Sequence, residues 1–253
     1  MDVMTATTGL TSSNRWDHVQ ARMGYRRMQH IVPPGLYCIG APSKASPVFV
    51  SANYTLSFDS LRSNLQGMDA LILVLDTKGV NVWCAAGKGT FGTDELISKI
   101  RSSGLAEKVD HRRLILPQLG APGVAAHVVK KETGFTVEYG PVRARDIPDY
   151  MRMGKVTPEM RTVTFPLRDR AELVPVEIVQ SLKYLLPAMV LLFLAGGTWS
   201  MNLCNEVVKA LKDRGLGARY CIASGCEVPP ALSTKMDNIK VCVDTVKQYG
   251  TFA

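Results

Sequence analysis

Residues 70–76, ALILVLD, form an uninterrupted apolar run that ends in an acid. A run without polar alternation marks a strand covered on both faces, which requires helices on either side of a parallel sheet. The flanking pattern supplies them. PVFVS at 47–51, RLIL at 113–116 and FTVEY at 135–139 predict strands, and Thr162–Phe165 predicts a last short one. Ser57–Leu65, Thr93–Ile100, Gly123–Lys131 and Arg143–Met153 predict helices, with Thr93 as an N-cap and Asp94 and Glu95 favourable in that first turn. Strands alternating with helices specify an α/β fold with a Rossmann-like, mostly parallel sheet. Residues 1–30 are polar and basic and predict a frayed tail leading into a short helix, broken by Pro33-Pro34-Gly35.

An apolar fraction of 46% with 21% charged residues excludes wholesale disorder. The formal net charge of +8 points to an anionic surface or ligand. No basic run of five and no RNA-binding aromatic motif accompanies it, so no nucleic-acid partner is expected. Cysteines stand at 38, 84, 204, 221, 226 and 242, with no CxxC pair, so neither a ferredoxin-type cluster nor a zinc ribbon is written here. The opening residues lack an apolar signal region, and the thiols are expected to stay reduced in the cytoplasm.

Residues 173–197 change character, with an apolar core of 14 residues from Tyr184 to Gly197. The core alone is short of the ~20 residues that span a bilayer. The longer stretch includes Glu177, Gln180 and Lys183, and both a membrane helix and a buried soluble helix remain open. Arg161, Arg168 and Arg170 precede it and would hold the preceding domain on the cytoplasmic face of a membrane.

Chemistry concentrates after the central strand, in Asn81-Val82-Trp83-Cys84-Ala85-Ala86-Gly87-Lys88-Gly89-Thr90-Phe91-Gly92. Ligands of α/β sheets bind at the carboxyl ends of strands, where this segment falls. Its small residues let a large flat ligand approach the backbone, and Cys84 is its strong soft donor. Spacing alone also allows Cys84 to be a buried small hydrophobe. A phosphate-binding P-loop is excluded, because Val82 stands where its first glycine is required. Gly87-Lys88-Gly89-Thr90-Phe91-Gly92 has the spacing G-x-G-x-x-G but follows Trp83-Cys84 rather than a strand. A second loop, Leu116–His127, carries Gly120, Ala121 and Gly123 at a strand end and can present backbone N–H groups to an anionic or amide-bearing ligand. His127 is a possible ligand there or a surface histidine. A third loop, Tyr139–Asp146, holds Arg143 and Arg145.

The segment NVWCAAGKGTFGTDEL resembles the cap-helix signature of the mercury-methylating corrinoid protein family. The likeness continues in PPGLY at 33–37, SANYTLSFDSLR at 51–62, LILVLDTKG at 71–79, RLILPQLGAPGVAAH at 113–127, YGPVRARDIP at 139–148 and TPEMR…FPLRDR at 157–170. A broader kinship is implied with the corrinoid iron–sulfur protein of the acetyl-CoA pathway, which lacks the cap cysteine. The resemblance implies a corrinoid-binding α/β domain over 31–170, after a basic segment 1–30, that holds cobalamin with its own lower base displaced. It further implies that Cys84 is the lower axial cobalt ligand and that Asn81, Trp83 and Lys88 fix the cap helix. Val82, Ala85, Ala86, Gly87, Thr77, Gly120, Ala121 and Gly123 are the other residues expected at the cofactor. The implied reaction is methyl transfer from cobalt to Hg(II), giving methylmercury. The alternative is a corrinoid methyl carrier of one-carbon metabolism, or a non-catalytic cobalamin-binding remnant. Implied partners are a ferredoxin-like 4Fe-4S reductant protein and a methyl-donor methyltransferase.

The mercury-methylating family continues into several membrane helices. This chain has the single hydrophobic stretch at 173–197 and then a different tail. Residues 202–253, with CIASGCEVPP at 221–230, resemble the end of the uroporphyrinogen decarboxylase-like cobalamin methyltransferases. In zinc-binding members of that family the cysteine matching Cys226 is a ligand. Its His-x-Cys partners do not occur in this sequence, and a zinc site needs about three protein ligands.

Overall fold

The computed structural model describes residues 3–194. The elements run β1 (Met4–Thr5), α1 (Ser12–Arg22), β2 (Gly35–Ile39), β3 (Val48–Ala52), α2 (Thr55–Ser63), β4 (Ala70–Leu75), α3 (Val82–Lys88), α4 (Thr93–Ser102), α5 (Leu105–Lys108), β5 (Arg113–Leu116), a 3₁₀ stretch Gln118–Gly123, α6 (Ala126–Thr133) and β6 (Thr136–Tyr139). A 3₁₀ turn Ala144–Asp146 then leads to α7 (Ile147–Met153), α8 (Pro158–Arg161), α9 (Leu167–Ala171) and α10 (Val174–Leu194). The expected tail fragment 202–253 and residues 195–197 of the hydrophobic stretch lie outside the described residues.

The six strands form one sheet in the order β1-β2-β4-β3-β5-β6. β4, β3, β5 and β6 are mutually parallel, and β2 runs antiparallel to β4. All six residues of β4 are buried, as its continuous apolar run requires of a strand with a helical layer on each face. One face carries Val48, Val50, Leu71, Leu73, Leu114 and Leu116 against α4 and α6 residues such as Leu96 and Val129. The other carries Phe49, Ile72, Val74 and Ile115 against Phe58, Leu61 and Tyr150. Each fully buried side chain of this size contributes about 1.5–3 kcal/mol.

The α/β architecture and the parallel centre of the sheet are as expected. Two strands are additional. β2 follows Pro33-Pro34 directly, and its Gly35↔Val74 to Ile39↔Ala70 register extends the sheet beyond β4. β1 pairs parallel to β2 through Met4↔Tyr37 and Thr5↔Cys38, so the start of the chain is held in the sheet rather than frayed. A capping box at Thr11 begins α1, with Asn14 returning the hydrogen bond. Arg62 then fastens the segment from the side. It is 6% exposed and donates to Asp59 Oδ1 (2.6 Å), Gly9 O (2.9 Å) and Thr7 O. His18 meets the other oxygen of Asp59 at 2.7 Å.

Three local expectations are corrected. Gly92, not Thr93, is the N-cap of α4, and the Thr93 hydroxyl accepts from Ala125 N–H at 2.9 Å instead. The helix expected from Gly123 begins at Ala126, because residues 118–123 tighten into 3₁₀ turns around Pro122. Thr162–Phe165 is not a strand. It is exposed chain without a strand partner, held by the Arg143 side chain at Thr164 O (2.9 Å) rather than by a ladder.

Helix α10 belongs to the segment Leu167–Leu191, long and apolar enough to cross a membrane, and only 6% of its most apolar window is buried. Tyr184, Leu185, Leu186, Val190 and Leu191 are all more than half exposed, so within the described residues it is not a core helix.

Candidate functional site

The connection β3–α2–β4 moves to one side of β3, and the next strand, β5, returns to its other side. The carboxyl ends of β3 and β5 therefore diverge into a crevice, the place where α/β sheets take ligands. A cavity of about 380 Å³ occupies it. Val50, Ser51 and Tyr54 come from the β3 end, Leu116, Pro117 and Leu119 from β5, and Pro141 and Val142 from the loop after β6. Asn81, Val82 and Trp83 close one side.

Those last residues reach the crevice through a braced turn. Asn53, 2% exposed, places its Oδ1 to accept from Thr77 N–H (3.0 Å), Thr77 Oγ1 (2.8 Å) and Gly79 N–H (3.1 Å). Its Nδ2 donates to Asp76 Oδ1 at 3.1 Å. Asp76 N–H donates to Glu95 Oε1 (2.9 Å), which ties the turn to α4. Lys78 sits in the left-handed region, φ 58°, with its N–H on Asp76 Oδ1. Burial pulls the Asp76 carboxyl upward, but the Lys78 ammonium and backbone N–H outweigh it and hold the group below its ordinary value.

Asn81 then starts α3 as its N-cap, its Oδ1 accepting from Cys84 N–H at 2.9 Å. Gly89, φ 82°, ends the helix in the left-handed conformation. The helical period sorts the seven residues between them. Val82, Ala85 and Ala86 face the core; Trp83, Gly87 and Lys88 are exposed; Cys84 is half-buried. Next to half-buried Cys84, the outer face is low at Gly87, where an added methyl would meet no protein atom within 4 Å.

The 118–123 turn packs directly beneath α3. A Cβ on Gly123 would lie 2.1 Å from Phe91 O and 3.0 Å from Ala86 Cα, and one on Gly120 would lie 2.6 Å from the Phe91 ring. These glycines serve the helix-to-turn contact rather than an open ligand face. Gln118 Oε1 is buried there and finds no partner among the described residues.

Of the expected site residues, the structure brings together Asn81, Trp83, Cys84, Gly87 and Lys88 on or beside one exposed face. Ala85 and Ala86 support that face from below, and Val82 does so while also lining the crevice. Thr77 is fully buried, and its hydroxyl is shared between Asn53 and Val80 O at 2.7 Å, so in this structure it shapes the turn. His127 is exposed at the start of α6. Tyr54 was missed as a site residue. Burial raises its phenol first; Arg27 and Arg22 oppose this, and Asp17 and Cys84 add to it, and Tyr54 lines the same crevice as Asn81, Val82 and Trp83. Its signal was SANYTLSFDSLR, which follows β3 as the Cys84 segment follows β4.

The donor set defines what this face can hold. Among the described residues no group of three His, Cys, Asp or Glu side chains comes together for a metal. A metal already carried in a macrocycle needs only an axial donor, and a half-buried thiol on a low, flat face fits that need.

The family model of the CO dehydrogenase/acetyl-CoA synthase delta subunit matches residues 26–151. The acetyl-CoA decarbonylase/synthase complex subunit gamma of Methanopyrus kandleri is 32% identical over 122 residues, 47% of this chain and 26% of that protein. Its counterpart in Archaeoglobus fulgidus is 33% identical over 122 residues, with the same shares of each chain. The corrinoid/iron-sulfur protein large subunit of Moorella thermoacetica is 30% identical over 116 residues, 45% of this chain and 26% of that protein. The chain thus matches about a quarter of the length of these curated relatives. The matched stretch runs from the end of α1 to α7 and takes in the braced turn, α3 and the crevice. Residues 26–151 of this chain are thus similar to the CO dehydrogenase/acetyl-CoA synthase delta subunit family.

Proposed function

We propose that this domain is a corrinoid-binding methyl carrier of one-carbon metabolism, with Cys84 as the protein's axial ligand to cobalt. The observation that carries the reading is the likeness of residues 26–151, which hold the capped helix and the switch-point crevice, to a corrinoid/iron-sulfur protein subunit and its acetyl-CoA synthase relatives. A bound corrinoid supplies a cobalt–carbon bond that can carry a methyl group. The chain's own part is positioning. Asn81 holds the Cys84 backbone, the Asn53–Thr77–Asp76 network holds Asn81, and Gly87 leaves room for a flat ring. Cys84 would hold the metal of such a group as a soft sulfur donor, and its electron donation would suit transfer chemistry toward a soft acceptor.

The relatives named above favour this carrier over the expected mercury methylation. Transfer to Hg(II) is the second reading, and its support is Cys84 itself within NVWCAAGK. On either reading a ferredoxin-like reductant and a methyl-donor methyltransferase are the partners this chemistry calls for. α10, with Arg161, Arg168 and Arg170 before it, supports attachment to the cytoplasmic face of a membrane.

The test loads the full chain with methylcobalamin and offers a thiol, a low-valent nickel complex and Hg(II) separately. The carrier reading predicts Cys84-dependent transfer to the thiol or nickel acceptor, faster than from free methylcobalamin. Cys84-dependent transfer confined to Hg(II) selects the second reading. Rates equal to those of free methylcobalamin with every acceptor overturn both.

A further inference from the structure

Residues 162–170 touch two walls of the crevice while contributing nothing to the core. On one side, the Phe165 ring meets Trp83 of α3, centroids 6.3 Å apart and tilted by 35°. On the other, the loop after β6 grips the same segment. Val142 N–H donates to Met160 O (2.8 Å), just ahead of it. Arg143 Nη2 lies within reach of Thr164 O (2.9 Å), Thr164 Oγ1 (3.1 Å) and Asp169 Oδ2 (2.5 Å). Arg170 Nε closes the segment on itself at Phe165 O (3.0 Å). Val163, Phe165 and Leu167 are 38%, 52% and 82% exposed, so side-chain tethers rather than burial hold the chain in place.

The other walls are different in kind. β3, β5 and the inner face of α2 are core elements with buried Val50, Leu61 and Leu116. The cavity of about 380 Å³ is small, so any part of a ligand lying on the Cys84–Gly87 face that reaches past Trp83 into it must widen it. The element with few buried apolar contacts yields first.

We propose that residues 162–170 are a strap that closes the Trp83 side of the crevice and swings away to admit a large ligand, latched by the Phe165–Trp83 contact and the Arg143–Asp169 pair. The identity of the ligand rests on the corrinoid reading above; the closed strap does not. Because the strap takes in most of α9 and is followed directly by α10, opening it also changes how the apolar helix is tethered to the site.

The experiment uses the full chain with Trp16→Phe and Trp199→Phe, leaving Trp83 as the single reporter, with Phe165→Ala or Asp169→Asn added. Each added change is expected to shift Trp83 emission to the red and raise its quenching by acrylamide. Cobinamide is then expected to enter and leave about fivefold faster, the scale of one lost aromatic contact, with its affinity within about twofold. Unchanged emission and quenching in both variants overturn the strap. So does faster release without faster entry, which marks an ordinary ligand contact. If the parent chain takes up no cobinamide, the corrinoid reading fails on its own, and the Trp83 readouts still decide whether the strap is closed.

Discussion

Asn53 shows how much of this site depends on one side chain. Its amide satisfies two buried backbone N–H groups and one hydroxyl, and in turn donates to Asp76. Asn53→Ala leaves the Thr77 and Gly79 N–H groups buried without acceptors, at a cost of about 1–3 kcal/mol each. The expected loss of about 3 kcal/mol is measurable by urea denaturation, and a loss below about 1 kcal/mol would contradict the network. Asp76 adds a pH dependence of known sign. Its carboxyl is held below its ordinary value in the folded protein, so its contribution is complete above the unfolded carboxylate pKa of about 3.9. It fades as pH falls through the lower folded value. Asp76→Asn is expected to flatten the stability profile below about pH 4 and leave its shape near neutrality unchanged. A variant whose acid limb superposes on the parent's would remove Asp76 from the account. Neither role was legible in the sequence. Thr77 entered as a residue expected at the cofactor from the resemblance, and only its packing against Asn53, 24 positions away, shows that it faces inward.

At the scale of elements, the contact between α3 and the 118–123 turn decides where Cys84 stands. Gly123→Ala puts a methyl against the Phe91 carbonyl and Ala86, and overpacking of this kind costs about 1–3 kcal/mol. Gly87→Ala is the opposite case. Its methyl meets no protein atom, and removing glycine from a helix interior stabilises by about 0.5–1 kcal/mol. The account predicts a raised melting temperature and weaker cobalamin binding for Gly87→Ala, measured by thermal denaturation and spectroscopic titration. Unchanged binding would mean that the ring does not lie on that face. In the sequence the glycines of the Cys84 segment read as room for a flat ligand, and those of the 116–127 loop as part of a backbone N–H cradle. The structure separates them by what lies opposite, which depends on a long-range contact that no local spacing encodes. The parallel strands were legible for the converse reason: continuous apolar runs such as Ala70–Leu75 carry their burial in the chain itself. β2 was not, because Pro33-Pro34-Gly35 announces a break, and β4 recruits Gly35–Ile39 regardless. Thr162–Phe165 has strand-like composition, but its hydrogen bonds go to Arg143.

Over the described residues, the sheet order places the Cys84 thiol, a small apolar crevice and the segment 162–170 around one end of β3 and β5. The α/β class and the switch-point location followed from strand ends and continuous apolar runs. The bracing by Asn53, the proximity of Tyr54 and the strap required the tertiary structure, since each joins segments far apart in the chain. The account's central claim is that Cys84 coordinates a corrinoid cobalt from that face. The measurement that tests it most directly is the anaerobic visible spectrum of cobalamin bound to the purified chain, recorded beside Cys84→Ala. The account predicts a base-off, thiolate-ligated signature in the parent that the variant loses. Identical spectra in the two, or no cobalamin bound by either, would contradict it.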